Sequence, residues 1–275
     1  IGESLCSHPD VDGVFFTGSY KTGQLISKYA SNSTPKKVSL ELGGKSSLIV
    51  FKGYKNIKKA VKTVLDSIFI NNGQTCNAIT RVIIHDSVYN EFMSKMIGAM
   101  KGYTPSDPLN PLTKVGAIAS SSQYEKIKEY INLALKSNLK ILYSVDSSEL
   151  SSKGYYISPY IIFSKDFKDE LSQSEIFGPI LLVTKFNSDA EAIKLANNTK
   201  YNLASGLFTL DLEQAFFVSN KLLATNVYIN GWGLDGIQVP FGGYGYSGNS
   251  SIDKSEGALK LYSRTKTISI NYSIG

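Results

Sequence analysis

The chain has 275 residues, 42% of them hydrophobic, which is enough to bury a sizeable core and too apolar for a disordered protein. Its 29 basic and 23 acidic side chains leave a net charge of +6, but the lysines are scattered, as at Lys55, Lys58, Lys59 and Lys62, without the run or aromatic interleaving of a nucleic-acid surface. Two cysteines rule out a disulfide framework, the isolated His8 and His85 rule out metal-ligand spacing, and no apolar stretch approaches the roughly 18 residues that span a bilayer.

The expectation is therefore a protein of the reducing cytoplasm, with no metal, nucleic-acid or membrane partner. The first residue is Ile1 rather than Met, as expected of a piece trimmed from something longer.

In chain order, Val11 to Thr17 reads as a buried strand and Thr22 to Ser31 as a helix ended by Asn32-Ser33-Thr34-Pro35. Lys37 to Leu42 and Ser47 to Phe51 read as strands. Ile57, Ala60, Val61, Val64, Leu65, Ile68 and Phe69 then fall on one helical stripe, stopped by Asn72-Gly73. The alternation continues with strand Arg81 to Ile84, helix Val88 to Lys101, a Pro-rich connection from Pro105 to Pro111, helix Ser121 to Ser137 and strand Lys140 to Tyr143. Ser144 to Gly154, serine-rich among charges, reads as an exposed loop. Strands Ile157 to Phe163 and Ile180 to Phe186 follow, then a helix opened by the capping box Ser188 and Glu191. Strand Ser205 to Thr209, helix Leu212 to Leu222, strand Asn226 to Asn230 and a last strand Thr265 to Tyr272 complete the series. Strands and helices taking turns predict an α/β fold with a mainly parallel sheet flanked by helices.

Two residue types in this frame carry chemistry. Cys76, in Asn72-Gly73-Gln74-Thr75-Cys76, follows the end of an amphipathic helix, where a turn presents a thiol rather than packing it away. Glu41 sits inside the apolar run Leu40-Glu41-Leu42, and Gly43-Gly44 after it allow backbone to approach backbone, with a hinge between a small N-terminal piece and the main body as a further use. A thiol and a desolvated carboxylate form an acyl-transfer pair, and a thiol of ordinary pKa, about 8.5, needs a base or a positive local potential to yield thiolate at neutral pH.

Phe16-Thr17-Gly18-Ser19, Leu40-Glu41-Leu42-Gly43-Gly44-Lys45-Ser46, Gly73-Gln74-Thr75-Cys76, Glu175-Ile176-Phe177-Gly178-Pro179 and Pro240-Phe241-Gly242-Gly243-Tyr244, in this order and spacing, resemble the aldehyde dehydrogenase superfamily. The resemblance covers nearly the whole chain, and matches the catalytic half of the family. It implies that Cys76 is the nucleophile, its backbone N–H a partial oxyanion donor, and Glu41 the base that activates water. Gly18 and Ser19 match a phosphate-side turn at a helix N-terminus. Glu175 matches the carboxylate that holds the nicotinamide ribose and Phe177 the ring beside the nicotinamide. Phe241 matches a wall of the aldehyde tunnel, while Trp232 and Asp235 fall in the loop that varies with substrate.

The resemblance starts partway into the family's cofactor domain. It thus implies residues 1–44 as a remnant of the dinucleotide-binding domain, 45–262 as the catalytic domain and 263–275 as a strand that pairs across subunits of a homo-oligomer. The dinucleotide platform and the oxyanion asparagine fall in the unmatched half, which would leave the cofactor contacts at Gly18, Ser19, Glu175 and Phe177 vestigial. Ser47, Gly245 and Ser250-Ser251 depart from the family's usual proline, lysine and arginine. Three readings follow: hydrolysis of small esters through a Cys76 thioester with no cofactor, oxidation of aldehydes with NAD or NADP once an N-terminal-half polypeptide completes the site, or a non-catalytic assembly subunit. The first is preferred, with a small carbonyl or ester as substrate.

Overall fold

The computed structural model describes residues 1–137, 139–145, 154–233, 236–249 and 254–272. Most of the loop expected over Ser144 to Gly154 lies outside them, as does Asp235. The elements are α1 (Gly2–Ser7), β1 (Gly13–Thr17), α2 (Tyr20–Ser31), β2 (Lys37–Glu41), β3 (Ser46–Val50), α3 (Ile57–Phe69), β4 (Ile79–His85), α4 (Asp86–Met100), α5 (Ser121–Lys136), β5 (Lys140–Tyr143), β6 (Tyr160–Phe163), α6 (Glu170–Gln173), β7 (Ile180–Phe186), α7 (Asp189–Asn197), β8 (Tyr201–Asn202), β9 (Ala204–Phe208), α8 (Leu212–Ser219), β10 (Asn226–Ile229), β11 (Tyr244–Gly245) and α9 (Ser255–Leu261).

Seven strands form the main sheet in the order β10-β9-β3-β4-β7-β6-β5, parallel except at the β5–β6 edge. Their residues alternate between two buried faces. Leu48, Val50, Val82 and Ile84 point into the core under α3 and α4, whereas Ile49, Ile83, Leu182 and Ile162 point into the one covered by α5, α7 and α8. Burial on both faces is why these strands read as unbroken apolar runs, each fully buried side chain contributing roughly 1.5–3 kcal/mol.

Local signals set the helix starts. Asn56, Ser120 and Asp211 accept from the backbone of Lys59, Gln123 and Gln214 at the openings of α3, α5 and α8. At α7, Ser188 accepts from Glu191 N–H as the capping box requires, but the Glu191 carboxylate reaches back to Asn187 N–H rather than to that of Ser188.

β1 and β2 pair in parallel as a separate two-stranded sheet. The C-terminal segment returns to it. Lys37 Nζ donates to the carbonyls of Lys260, Leu261 and Ser263, Tyr262 stacks on Phe15 at 4.4 Å, and Leu40 and Asn249 exchange hydrogen bonds. The strand expected over Thr265 to Tyr272 does not form within the chain: these residues lie exposed and pair with no strand among the described residues, because pairing needs a partner edge. The shortest elements, α1, α6 and α9, carry too little periodicity to be read from sequence. No helix among the described residues is long and apolar enough to cross a membrane.

One buried cation ties the layers together. Arg81, in the middle of β4, donates to the carbonyls of Lys45, Leu195, Ala196 and Asn198, so its guanidinium caps the C-terminal end of α7 and lies over the Phe167 ring. A cation at a helix C-terminus is favoured by the peptide dipoles. Arg81→Met removes four hydrogen bonds to backbone carbonyls, three of them buried, and a urea titration is expected to register a loss of about 3 kcal/mol or more; an unchanged midpoint contradicts this role.

Candidate active site

After α3 the chain turns through three consecutive positive φ values, at Asn71 (48°), Asn72 (55°) and Gly73 (76°). Asparagine tolerates this region better than most residues, and here each side chain is also anchored. Asn72 Nδ2 donates to the Ala117 carbonyl (2.8 Å) while its Oδ1 accepts from Gly116 N–H (3.0 Å). Asn71 Nδ2 donates to the Gln74 carbonyl, and Gln74 Oε1 accepts from Ala119 N–H. The loop that carries Cys76 is thereby fixed before it reaches the cysteine.

Three of the sequence motifs meet at this loop. Gly44 packs so closely that a Cβ on it would overlap the Cys76 carbonyl oxygen, and a Cβ on Gly43 would overlap the Glu175 carboxylate. Gly44 N–H donates to Glu175 Oε1 at 2.9 Å. The Glu175–Gly178 stretch is held in turn by α5, where Gln123 Nε2 donates to the carbonyls of Ile176 (2.8 Å) and Phe177 (2.9 Å) and Lys126 Nζ to that of Glu175 (3.0 Å). Phe177 has a φ of 59°.

Cys76 is part-buried. Burial pushes its thiol above the ordinary range, the negative charges of Glu175 and then Glu41 push it further, and the backbone N–H groups of Asn77 and of Cys76 itself pull the other way. Of the two means by which such a thiol yields thiolate, a base or a positive potential, the charged neighbours that act on Cys76 offer only the first, since both are carboxylates. Burial also raises Glu175, against the Gly44 hydrogen bond and the charges of Lys126 and Lys45.

Glu41, at the end of β2, is 5% exposed, and its carbonyl accepts from Gly18 N–H at 3.0 Å. Ser19 is exposed and caps α2, its Oγ accepting from Thr22 N–H. Trp232 and Phe241 have other partners. The indole of Trp232 packs on Tyr228 at 4.9 Å and over Gly206, and the Lys254 ammonium stands 5.0 Å from the Phe241 ring centroid.

Sequence reasoning missed three members of this neighbourhood. Lys45 is buried with its Nζ lacking a hydrogen-bond partner among the described residues. Tyr201 receives a hydrogen bond from the Glu175 backbone and is pushed up to about 12 by burial. Arg81 is the third. The legible signal was charge inside an apolar strand: Lys45 precedes the all-buried β3, and Arg81 interrupts Ile79 to Ile84. A cavity of 750 Å³ between α3 and α4, bordered by Lys58, Leu65, Phe69 and Tyr103, is lined by neither Cys76 nor the two carboxylates.

A thiol and two carboxylates thus gather where strand ends of an α/β scaffold meet a fixed loop. The sequence profile described as "Aldehyde dehydrogenase family" matches residues 1–268, and the chain belongs to that family. Aldehyde dehydrogenase 1A1 of Oryctolagus cuniculus is 37% identical over 272 residues, covering 99% of this chain and 54% of that protein. The NADP/NAD-dependent aldehyde dehydrogenase PuuC of Escherichia coli (strain K12) is 36% identical over 270 residues, covering 98% and 54%. An indole-3-acetaldehyde dehydrogenase solved in complex with NAD+ superposes with a TM-score of 0.90 at 34% identity, covering 95% of this chain and 52% of that one. The chain thus spans about half the length of these relatives.

Gly44→Ala is expected to displace the Cys76 backbone and to cut thiol alkylation by iodoacetamide at least about tenfold, where retention of the wild-type rate refutes the close approach. The raised thiol also predicts a pH profile: alkylation climbs with a midpoint above that of a free cysteine, and Glu41→Gln, by removing a negative charge, moves that midpoint down. An unmoved midpoint in Glu41→Gln would show that the carboxylate does not face the thiol.

Proposed function

We propose that this chain supplies the nucleophile and base of an NAD(P)-dependent aldehyde dehydrogenase, and that the same pair hydrolyses small esters without a cofactor. The observation that carries the reading is the locked juxtaposition of Gly44, Cys76 and Glu175, with the Glu41 charge acting on the same sulfur.

The residues present make an incomplete seat for a dinucleotide. The exposed N-terminus of α2 suits an anion, but Gly18 N–H is committed to the Glu41 carbonyl, Ser19 Oγ to its own helix, and the Glu175 carboxylate to Gly44 rather than to a ribose.

The chemistry the chain's own residues support is acyl transfer. The Cys76 thiol gives up its proton to Glu41, which passes it on to the leaving alkoxide, and the thiolate attacks an ester carbonyl, forming the C–S bond. The alkoxide leaves with a proton as the thioester forms, the Cys76 backbone N–H facing the developing oxyanion. Glu41 then takes a proton from water, the hydroxide adds to the thioester, and C–S cleavage releases the acid and regenerates the thiolate. With an aldehyde, the same thiolate adds to the carbonyl carbon.

A second copy of the chain is the partner we propose for the C-terminal segment. Ile268, Ile270 and Tyr272 alternate along the sequence and are all exposed, which supports a strand that pairs outside its own chain.

The test is a side-by-side assay of the purified chain for p-nitrophenyl ester cleavage and for NAD- or NADP-dependent aldehyde oxidation. Ester turnover is expected, abolished in Cys76→Ala and lowered about 10²–10⁴-fold in Glu41→Gln. Turnover that survives Cys76→Ala removes the thiol from the reaction.

A further inference from the structure

The 750 Å³ cavity between α3 and α4 takes no part in the acyl-transfer chemistry, and its volume is that of a small-molecule site. Its long wall is one face of α3, where Lys58, Val61, Lys62, Leu65 and Phe69 follow at helical spacing. From Lys58 to Phe69 that wall runs about 16 Å along the helix axis, the reach of a medium-chain fatty acid. The facing wall is thin. α4 contributes Lys95 and Ala99, one turn apart, and the alanine side chain is too short to span the gap between the helices. Tyr103 lines the cavity beside Phe69, the two ring centroids 4.8 Å apart.

The charge around this cavity is one-sided. Four ammonium groups line it, on Lys58, Lys62, Lys95 and Lys114, against the single carboxylate of Asp66. Lys62 pairs with Asp66, and Lys95 reaches Glu91 at 3.5 Å. Lys58 and Lys114 are exposed and make no ion pair among the described residues, the Lys114 Nζ standing 4.7 Å from the centroid of the Tyr103 ring. An apolar floor under a cationic rim complements a ligand with an apolar body and an anionic end. None of the described lining residues is an arginine, whose planar fork grips phosphate in two places, so a carboxylate is the head group that separate ammonium charges fit best.

We infer that this cavity binds a medium-chain carboxylate, its alkyl chain laid along Val61, Leu65 and Phe69 and its head group held at the lysine rim. Burial of the chain supplies most of the affinity, while the exposed lysines orient the ligand and select the sign of its charge. Such a ligand belongs to the same chemical class as the acid that hydrolysis of a Cys76 thioester releases. Binding here does not depend on Cys76 being the nucleophile.

The experiment titrates the purified chain calorimetrically with dodecanoate, hexanoate and dodecyltrimethylammonium, each below its micelle concentration. Wild type is compared with Ala99→Trp, which fills the cavity from an exposed position, and with Lys58→Glu/Lys114→Glu, which reverses its unpaired charges. Dodecanoate is expected to bind saturably, hexanoate at least about tenfold more weakly because it buries fewer methylenes, and the cation not at all. Ala99→Trp is expected to weaken dodecanoate at least about tenfold and the charge reversal at least about fivefold. A second measurement needs no variant: dodecanoate should slow acetylation of Lys58 and Lys114 in the wild-type chain, read by peptide mass spectrometry, and leave the exposed Lys140 unprotected. Absence of saturable binding, equal binding of the cation, an affinity unchanged in both variants or uniform acetylation overturns the assignment. So does a dimer of the ligand-free chain, seen by ultracentrifugation, that Ala99→Trp dissociates, since the cavity would then belong to a second copy.

Discussion

Gly43 and Gly44 are held by close packing on both sides, with the Glu175 carboxylate against the first and the Cys76 carbonyl against the second. Any side chain there would force the strand end apart from the loop. Because β2 ends just before this pair and β3 begins just after it, the contact also joins the two-stranded sheet to the seven-stranded one. The position of the thiol, the base and the second carboxylate all follow from one backbone approach that only glycine permits.

The electrostatics around that contact are unusual for a nucleophilic thiol. Burial, and then the negative charges of Glu175 and Glu41, push the Cys76 thiol up. The cations that act on Glu175 are Lys126 and Lys45, while Arg81 is spent on capping α7.

The fold was legible in the sequence where periodicity was strong. The stripe from Ile57 to Phe69 sets α3 to the residue, and the apolar runs at Ile180 to Phe186 and Lys140 to Tyr143 give β7 and β5 with their ends. Elements of one or two turns were not legible, since α1, α6 and α9 are held by packing rather than by an amphipathic repeat. Thr265 to Tyr272 has the alternation of a strand, but alternation reports a face to be covered and does not say by which chain. At the site, motif spacing placed Cys76, Glu41 and Glu175 in the sequence, yet the contact between Gly44 and Glu175 spans 131 residues and could not be read from either motif alone. Lys45 was quoted only as part of a motif, because nothing local shows that its ammonium turns inward.

Half of each relative's length lies outside what this chain matches, so the thiol chemistry is the part of the family's reaction that these residues can be asked to perform by themselves. The most direct measurement is acid quenching of the chain during reaction with p-nitrophenyl acetate, followed by peptide mass spectrometry. The account predicts a single acetyl group on the peptide that contains Cys76, labile to hydroxylamine as a thioester is. Acetylation confined to lysines or to Cys6, with Cys76 unmodified, would contradict it.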